Sequence, residues 1–297
     1  MQIPKSPTAG RAPIQRSGVR WLLLSLATAV LVACATGPVQ QRTETAAQAH
    51  DNYNAVLWFQ SAAEYHAAML GIYADAGEAL VQAMADPHFS AALEQPLPQP
   101  GLRPAVVVDV DETILDNSPY QARLLLDGGS FEETSWRAWC EERQAKAIPG
   151  ALSFARHAAK HGVEIFYVSN RDVSLNQATI DNLAALGFPN ADQRHVLLRD
   201  RAKGWGDKGP RRVEISKTHQ ILLLIGDNLG DFSDDYKGSP EQRLALVEKH
   251  RNWWGERWFL LPNPMYGSWE QSLLDYHYAD DEASQRQRKR GGLRLSR

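Results

Sequence analysis

The chain has 297 residues, of which 43% are apolar and 23% are charged. This balance is typical of a folded globular protein with a sizeable core, and it excludes a largely disordered chain. The formal net charge of −3 gives no basic surplus, so we expect no nucleic acid partner.

The first 33 residues have the features of an export signal. Basic residues but no acidic ones precede the apolar segment WLLLSLATAVLVA at 21–33, which is shorter than the ~20 apolar residues of a membrane span. LVAC at 31–34 resembles a bacterial lipobox. We expect a lipoprotein signal peptide at 1–33, lipidation at Cys34 and a polar tether at 34–43. An uncleaved anchor or an ordinary signal peptide is the alternative. No aspartate follows Cys34, which favours a bacterial outer membrane lipoprotein, either periplasmic or surface-exposed.

Residues 44–104 are predicted to form an N-terminal helical segment that contributes to a lid. Apolar residues recur at helical spacing from about 45 to 93. The proline-rich stretch QPLPQPGLRP at 95–104 then interrupts this pattern and marks a boundary.

Five continuous apolar segments follow and predict strands that are buried on both faces. They are Ala105–Val110, Val163–Ser169, Val196–Leu198, Ile221–Gly226 and Trp258–Leu261. Helical patterns near 150–161, 174–186 and 239–251 alternate with them. We therefore predict an α/β fold with a Rossmann-like parallel sheet across a core at 105–279. A smaller, mainly helical lid insertion is expected near 117–147, and the polar tail at 280–297 is expected to be disordered.

Acidic and hydroxyl side chains stand where the predicted strands end. Asp109 and Asp111 follow the first strand, Ser169 ends the second, and Asp227 and Asp231 follow the fourth. Ligands of parallel sheets bind beyond this carboxyl edge, so we expect the side chains to meet there. Mg²⁺ prefers oxygen ligands, which the carboxylates of Asp109 and Asp227 and the backbone carbonyl of Asp111 can supply.

This residue set predicts phosphoryl transfer. Asp109 can attack phosphorus and form an aspartyl-phosphate. Asp111 can protonate the leaving group and later deprotonate the attacking water. Ser169 and a lysine, either Lys203 or Lys208 in the loop before the fourth strand, can hold the non-bridging phosphate oxygens.

The four motifs DVDET, VSN, a loop lysine and GDNLGD resemble those of the haloacid dehalogenase superfamily of phosphatases. The longer match DVDETILDNSPY resembles, more narrowly, the bacterial class C nonspecific acid phosphatases, a group of lipoprotein 5′-nucleotidases. AVLWFQSAAEY at 55–65, IPGA at 148–151 and LPNPMYGSWE at 261–270 are also similar to that family. The class B acid phosphatases are a neighbouring alternative with the same catalytic apparatus.

The resemblance implies a Mg²⁺-dependent acid phosphatase, with nucleoside 5′-monophosphates and small aryl phosphates as substrates and a possible homodimer. It places Asp231 as the fourth aspartate of the metal site. It favours Lys208 as the lysine of the third motif, with Lys203 and Lys217 as alternatives. The substrate-binding residues that we predict are Asn170, Arg171, Trp136 and Tyr266.

Other interpretations compete with these assignments. Trp136 and Trp139 are three residues apart, so they could instead form one buried helix face. The same core could serve a sugar phosphatase. A non-catalytic surface lipoprotein is a further alternative, although such a protein would usually have lost one of the catalytic residues, and all of them are present here.

Overall fold

The computed structural model describes residues 52–98, 100–277 and 281–295. The predicted signal peptide, the lipidation site Cys34 and the tether lie outside these ranges. The helices are α1 Tyr53–Ser61, α2 Ala63–Met84, α3 Ser118–Asp127, α4 Glu133–Glu142, α5 Ala151–Lys160, α6 Asn176–Leu186, α7 Gly209–Ser216, α8 Pro240–Lys249, α9 Ser268–Leu273 and α10 Glu282–Gly291. The strands are β1 Arg103–Val108, β2 Leu115–Asp116, β3 Lys146–Ala147, β4 Glu164–Asp172, β5 Val196–Arg199, β6 His219–Gly226 and β7 Trp258–Leu260. Within the described ranges, no helix is both long and apolar enough to cross a membrane.

Five of the strands form one sheet in the order β5-β4-β1-β6-β7, and every neighbouring pair in it is parallel. The predicted Rossmann-like α/β fold is therefore confirmed, and each of its strands coincides with one of the five apolar segments. β1 is central, so the residues that follow it lie between those that end β4 and those that follow β6.

The sheet is covered on both faces. Val106 and Val108 of β1 belong to a core that includes α2 and α5. Val107 belongs to a second core that includes Ile215 of α7 and Trp258 of β7. Successive residues of a strand point to opposite faces, so double coverage explains why these strands are apolar throughout.

The N-terminal segment is divided between the core and the lid. Met69, Tyr73 and Leu80 of α2 are buried in the same core as β1 and α5. The shorter α1 packs against α3. α2 thus forms a layer of the core, and the contribution of the segment 44–104 to the lid stays a prediction.

The insertion near 117–147 contains two helices carried on a pair of short strands. β2 and β3 pair in antiparallel register, with Leu115 opposite Ala147. α3 and α4 are connected by a two-bond ion pair between Arg123 and Glu142, at 2.5 and 2.8 Å. The Tyr120 hydroxyl lies 3.0 Å from Ser135 Oγ.

The C-terminal segment differs from the prediction of disorder, since Glu282–Gly291 forms helix α10. Asp281 caps this helix by accepting a hydrogen bond from the Ser284 N–H at 2.9 Å. Basic residues in the last turn interact favourably with the helix dipole. Lys289 pairs with Glu270 at 2.6 Å. Composition alone misjudged this segment because its stabilising partner lies in α9.

Candidate active site

The chain makes a tight turn directly after the central strand. Asp109 is buried, and its N–H donates to the carbonyl of Ile225 in β6 at 2.9 Å. The turn requires a positive φ of 58° at Glu112, a conformation that is uncommon for a residue with a side chain. Backbone conformations of this kind cluster at functional sites.

Three carboxylates meet at this edge of the sheet. One oxygen from each of Asp109, Asp227 and Asp231 lies within 4.8 Å of the others. The Asn228 N–H donates to Asp231 Oδ2 at 2.8 Å. The Asp231 carboxylate lies so close to the backbone of Gly226 that a Cβ added to Gly226 would clash with Asp231 Oδ2. The sequence thus brings aspartates from two strand ends to one point.

Lys208 is the cation of this cluster. Its Nζ contacts Asp109 Oδ1 and lies 2.6 Å from Asp231 Oδ1. The side chain of Lys208 is 4% exposed, whereas those of the alternatives Lys203 and Lys217 are 62% and 60% exposed. Lys208 is therefore the member of the three candidates that lies beside the aspartates.

Burial dominates the electrostatics of the cluster. It raises the pKa of Asp109 to about 7, with further upward contributions from Asp231 and Asp111, against the lowering effect of Lys208. Burial, followed by the charges of Asp109 and Asp231, raises the pKa of Asp227 well above its ordinary value. One lysine thus leaves an excess of carboxylate charge, which a divalent cation would offset.

The donor set fits a hard divalent cation. Carboxylate oxygens are the ligands that Mg²⁺ takes in proteins, and Asp109, Asp227 and Asp231 supply three of them. The Asn263 amide N–H donates to Asp227 Oδ2 at 2.8 Å and so orients that carboxylate. The side chain of Asp111 is outside this group of three.

Asp111 has a separate environment, where four donor contacts surround its carboxylate. Ser169 Oγ donates to Oδ2 at 2.9 Å. The Asn117 amide donates to Oδ1 at 2.9 Å. The Arg171 guanidinium approaches the same oxygen through Nε at 2.9 Å and through its terminal nitrogen at 2.8 Å.

Two of the predicted substrate-binding residues have other partners. Arg171 is buried, and besides Asp111 it donates to Thr179 Oγ1 at 3.2 Å. Asn170 is exposed, and its side-chain oxygen accepts from Arg211 at 2.6 Å. Arg211 also donates to the backbone carbonyl of Ser169. In this structure Arg171 and Arg211 therefore organise the residues around Ser169 and Asp111.

The aromatic residues divide into half-buried and buried ones. Trp136 is half-buried, with its ring 5.1 Å from that of Tyr120 and the Arg171 guanidinium 5.5 Å from its centre. Tyr266 is also half-buried and lies in the same loop as Asn263. Trp139 is buried and donates through Nε1 to the Asn117 side-chain oxygen at 2.8 Å, so it is unavailable for stacking.

Sequence reasoning missed three residues that shape this site. They are Glu112, Asn117 and Asn263. Glu112 accepts a hydrogen bond from the Asn117 N–H, Asn117 donates to the Asp111 carboxylate, and Asn263 donates to the Asp227 carboxylate. All three stand in the motifs DVDETILDNSPY and LPNPMYGSWE, which carried the family resemblance. Their spacing gave no physical reason to single them out, since each acts through a contact that the fold creates.

Aspartates and a lysine thus cluster at the carboxyl edge of a Rossmann-like sheet, beneath a helical insertion. This arrangement defines the class of the haloacid dehalogenase-like phosphatases. The family model described as HAD superfamily, subfamily IIIB (acid phosphatase), matches residues 23–269. The chain therefore belongs to this acid phosphatase family.

Solved structures agree with this family. The class C acid phosphatase from Bacillus anthracis is 35% identical and superposes with a TM-score of 0.74, covering 82% of this chain and 97% of that one. The tungstate-bound crystal structure of the same enzyme is 34% identical, with the same coverage and a TM-score of 0.74.

Curated relatives are more distant. Acid phosphatase 1 of Solanum lycopersicum is 27% identical over 165 residues, which are 54% of this chain and 57% of the relative. Vegetative storage protein 1 of Arabidopsis thaliana is 25% identical over 162 residues, or 54% of each chain. The chain thus spans little more than half the length of these relatives, whose names include both an enzyme and a storage protein.

Proposed function

We propose that this chain is a Mg²⁺-dependent acid phosphatase that hydrolyses small phosphate monoesters, with Asp109 as the nucleophile. The observation that carries the proposal is the position of Asp109. It directly follows the central strand, lies within 4.8 Å of Asp227 and Asp231, and contacts Lys208. Family membership supports the same class of reaction.

Asp109, Asp227 and Asp231 would hold the cation, with the backbone carbonyl of Asp111 as a further ligand. A bound Mg²⁺ would reduce the repulsion between an aspartate nucleophile and an anionic phosphate. Lys208 contacts the carboxylates of Asp109 and Asp231, so it can neutralise the charge that remains and interact with a non-bridging phosphate oxygen.

In the first step, an oxygen of Asp109 bonds to phosphorus while the bond from phosphorus to the leaving oxygen breaks. Asp111 gives its proton to that leaving oxygen. In the second step, water attacks phosphorus while the bond from phosphorus to the Asp109 oxygen breaks, and Asp111 takes the proton from the water. This step releases phosphate and restores the Asp109 carboxylate. Ser169, hydrogen-bonded to Asp111 at 2.9 Å, is close enough to bind a phosphate oxygen. Because Asp111 must carry a proton in the first step while Asp109 stays ionised, and a bound cation would favour the ionised form of Asp109, we expect an acidic pH optimum.

Nucleoside 5′-monophosphates are the substrates that we favour. Trp136 lies above the guanidinium of Arg171, which in turn binds Asp111, so a stacked base would be held beside the acid. Base stacking on an aromatic ring contributes about 1–3 kcal/mol. Tyr266 lies three residues after Asn263, which binds Asp227, and it would contact the nucleoside from the loop on the metal side.

The proposal also includes a cellular location, the bacterial outer membrane. It rests on the sequence of residues 1–34, whose lipobox-like LVAC implies an outer membrane lipoprotein anchored at Cys34. The resemblance to lipoprotein phosphatases also suggests a homodimer. Mass spectrometry of Cys34 after expression in a Gram-negative host would test the lipid anchor, and an unmodified thiol would contradict it.

The central experiment is a phosphatase assay on the purified protein with Mg²⁺ and with a chelator. We expect hydrolysis of aryl and nucleoside phosphates that the chelator abolishes. Asp109→Asn should lose turnover by several orders of magnitude, since the variant keeps its shape but lacks the nucleophile. Unchanged turnover in that variant would refute the covalent route. Tungstate, the oxyanion in the crystal structure of the Bacillus anthracis enzyme, should inhibit wild-type turnover.

A second candidate function is a non-catalytic protein that has kept the phosphatase fold. The reason to consider it is that the relatives of this chain include proteins named as storage proteins. The complete set of Asp109, Asp111, Ser169 and Asp227 favours the enzyme. Within the enzyme class, a sugar phosphatase is the competing assignment. A panel of phosphomonoesters would decide, since a marked preference for sugar phosphates would contradict nucleotide specificity.

A further inference from the structure

Asn117 joins the proposed acid/base residue to the lid. Its side chain is fully buried. The amide nitrogen donates to Asp111 Oδ1 at 2.9 Å, and the amide oxygen accepts from Trp139 Nε1 of α4 at 2.8 Å. The backbone N–H of Asn117 donates to Glu112 Oε1 at 2.7 Å. One residue thus contacts the catalytic turn and the second lid helix at the same time.

The partners of Asn117 allow a single orientation of its amide group. An indole N–H and a guanidinium can donate hydrogen bonds but cannot accept them. Trp139 and the Arg171 terminal nitrogen, at 3.4 Å, both face the amide oxygen. The amide nitrogen is therefore turned toward Asp111, where a carboxylate needs a donor. A flipped amide would place its oxygen against Asp111 and leave the buried Trp139 N–H unpaired, which is unfavourable.

This orientation determines which carboxylate oxygen of Asp111 is available to the substrate. Oδ1 is held by Asn117 and Arg171, while Oδ2 faces Ser169. Asn117 holds Oδ1 from the lid, and Arg171 holds it from β4. Ser169 Oγ donates to Oδ2, but a hydroxyl can rotate toward a phosphate oxygen, which leaves Oδ2 to meet the leaving group. The orientation of the Asp111 carboxylate is thus linked to the docking of α4, because the indole of Trp139 orients the amide of Asn117.

We propose that Asn117 and Trp139 are positioning residues that make the orientation of Asp111 depend on the docking of lid helix α4. The inference rests on the proposed role of Asp111 as acid/base. Neither residue touches the reacting atoms, so both act through the carboxylate that they orient. The lid would then do more than cover the site, because it completes the proton-transfer geometry.

The test compares two leaving groups. A nucleoside 5′-monophosphate expels an alkoxide that needs a proton, whereas p-nitrophenyl phosphate expels a stabilised phenolate that needs little help. Both substrates share the second step, so kcat/KM, which reports the first step, is compared. Trp139→Phe removes the indole N–H, and it should lower kcat/KM for the nucleotide roughly tenfold or more, within the range of lost general-acid catalysis. For p-nitrophenyl phosphate we expect a loss of about threefold or less, because that reaction depends weakly on the acid.

Trp258→Phe is the matched control. Trp258 is also buried, and its Nε1 donates to the carbonyl of Ala91 at 2.7 Å, within the second core. Its substitution should change the kcat/KM values of both substrates by the same factor. An equal effect of Trp139→Phe on both substrates, or no effect on either, would show that Trp139 only packs the lid and would overturn the inference.

A double-mutant cycle tests whether Trp139 acts through Asn117. Asn117→Ala should reproduce the selective loss with the nucleotide, and adding Trp139→Phe should then change the ratio of the two kcat/KM values no further. Additive changes in that ratio would contradict the coupling.

A readout without turnover separates this inference from the proposed function. Hydrogen exchange of the Trp139 indole proton, followed by NMR, should be slow in the wild type and faster in Asn117→Ala. Equal exchange rates would overturn the inference even in an active enzyme. If the wild type hydrolyses neither ester, the proposed function fails, while the exchange experiment still reports whether Asn117 anchors Trp139.

Discussion

Replacing Lys208 by methionine tests the electrostatic arrangement of the site most directly. The side chain of Lys208 is 4% exposed, and its ammonium is the partner of two carboxylates in a group of three. Removing one partner of a buried ion pair costs about 3–5 kcal/mol. At about 2–4 °C for each kcal/mol in a domain of this size, the melting temperature should fall by roughly 6–20 °C.

The pH dependence of this loss has a definite sign. Burial already raises the pKa of Asp109 to about 7, and Lys208 acts to lower it. Without Lys208 that pKa rises further, so keeping Asp109 ionised becomes more costly above pH 7. The loss of stability should therefore be larger near pH 8 than near pH 5, where the folded protein already binds the proton. Calorimetry in the presence of a chelator at these two pH values measures the difference.

Lys203→Met is the matched control. Its side chain is 62% exposed and lies 3.7 Å from Asp200. An exposed ion pair of this kind contributes little, so we expect a change within about 0.5 kcal/mol. Activity should fall by about 10²–10³ in Lys208→Met, the usual effect of removing a group that stabilises transition-state charge, and stay unchanged in Lys203→Met. The reverse ranking of the two variants would refute the assignment of Lys208.

Three further predictions follow from individual contacts. Asn263→Ala removes the donor to Asp227 Oδ2, so the Mg²⁺ concentration that supports half-maximal rate should rise about 10–100-fold, and an unchanged Mg²⁺ titration would contradict the contact's role. Trp136→Ala should raise KM for nucleoside monophosphates more than for a small aryl phosphate, through the loss of about 1–3 kcal/mol of stacking; an equal change in both KM values would exclude stacking. Burial lowers the pKa of His219 in the folded protein from its ordinary value of 6.5, so His219 takes up a proton at a higher pH in the unfolded chain than in the folded one. Wild-type stability should therefore fall as the pH drops from about 6.5 to 5. His219→Gln should lose that part of the slope in chemical denaturation, and identical slopes in the two proteins would disprove it.

The sequence by itself determined the sheet and the location of the site. Strands covered on both faces must be apolar throughout, so the five runs were visible without a structure, and their alternation with helical patterns fixed parallel connections. Polar residues that directly follow parallel strands all lie at the carboxyl edge of the sheet. This is why Asp109, Asp227 and Asp231 could be expected to meet, as they do within 4.8 Å.

The tertiary structure alone decided the contacts between these strand ends and the elements around them. The resemblance favoured Lys208 over Lys203 and Lys217, but only the structure shows that Lys208 is the one buried beside Asp109. Asn117 and Asn263 carry no periodic or compositional signal, because their importance comes from single hydrogen bonds to Asp111 and Asp227. Helix α10 was missed for the same reason, since the glutamate that pairs with Lys289 belongs to α9. Hydrophobic burial is repeated along a chain and can be read from its pattern, whereas a specific polar contact joins two distant residues and exists only once the chain has folded.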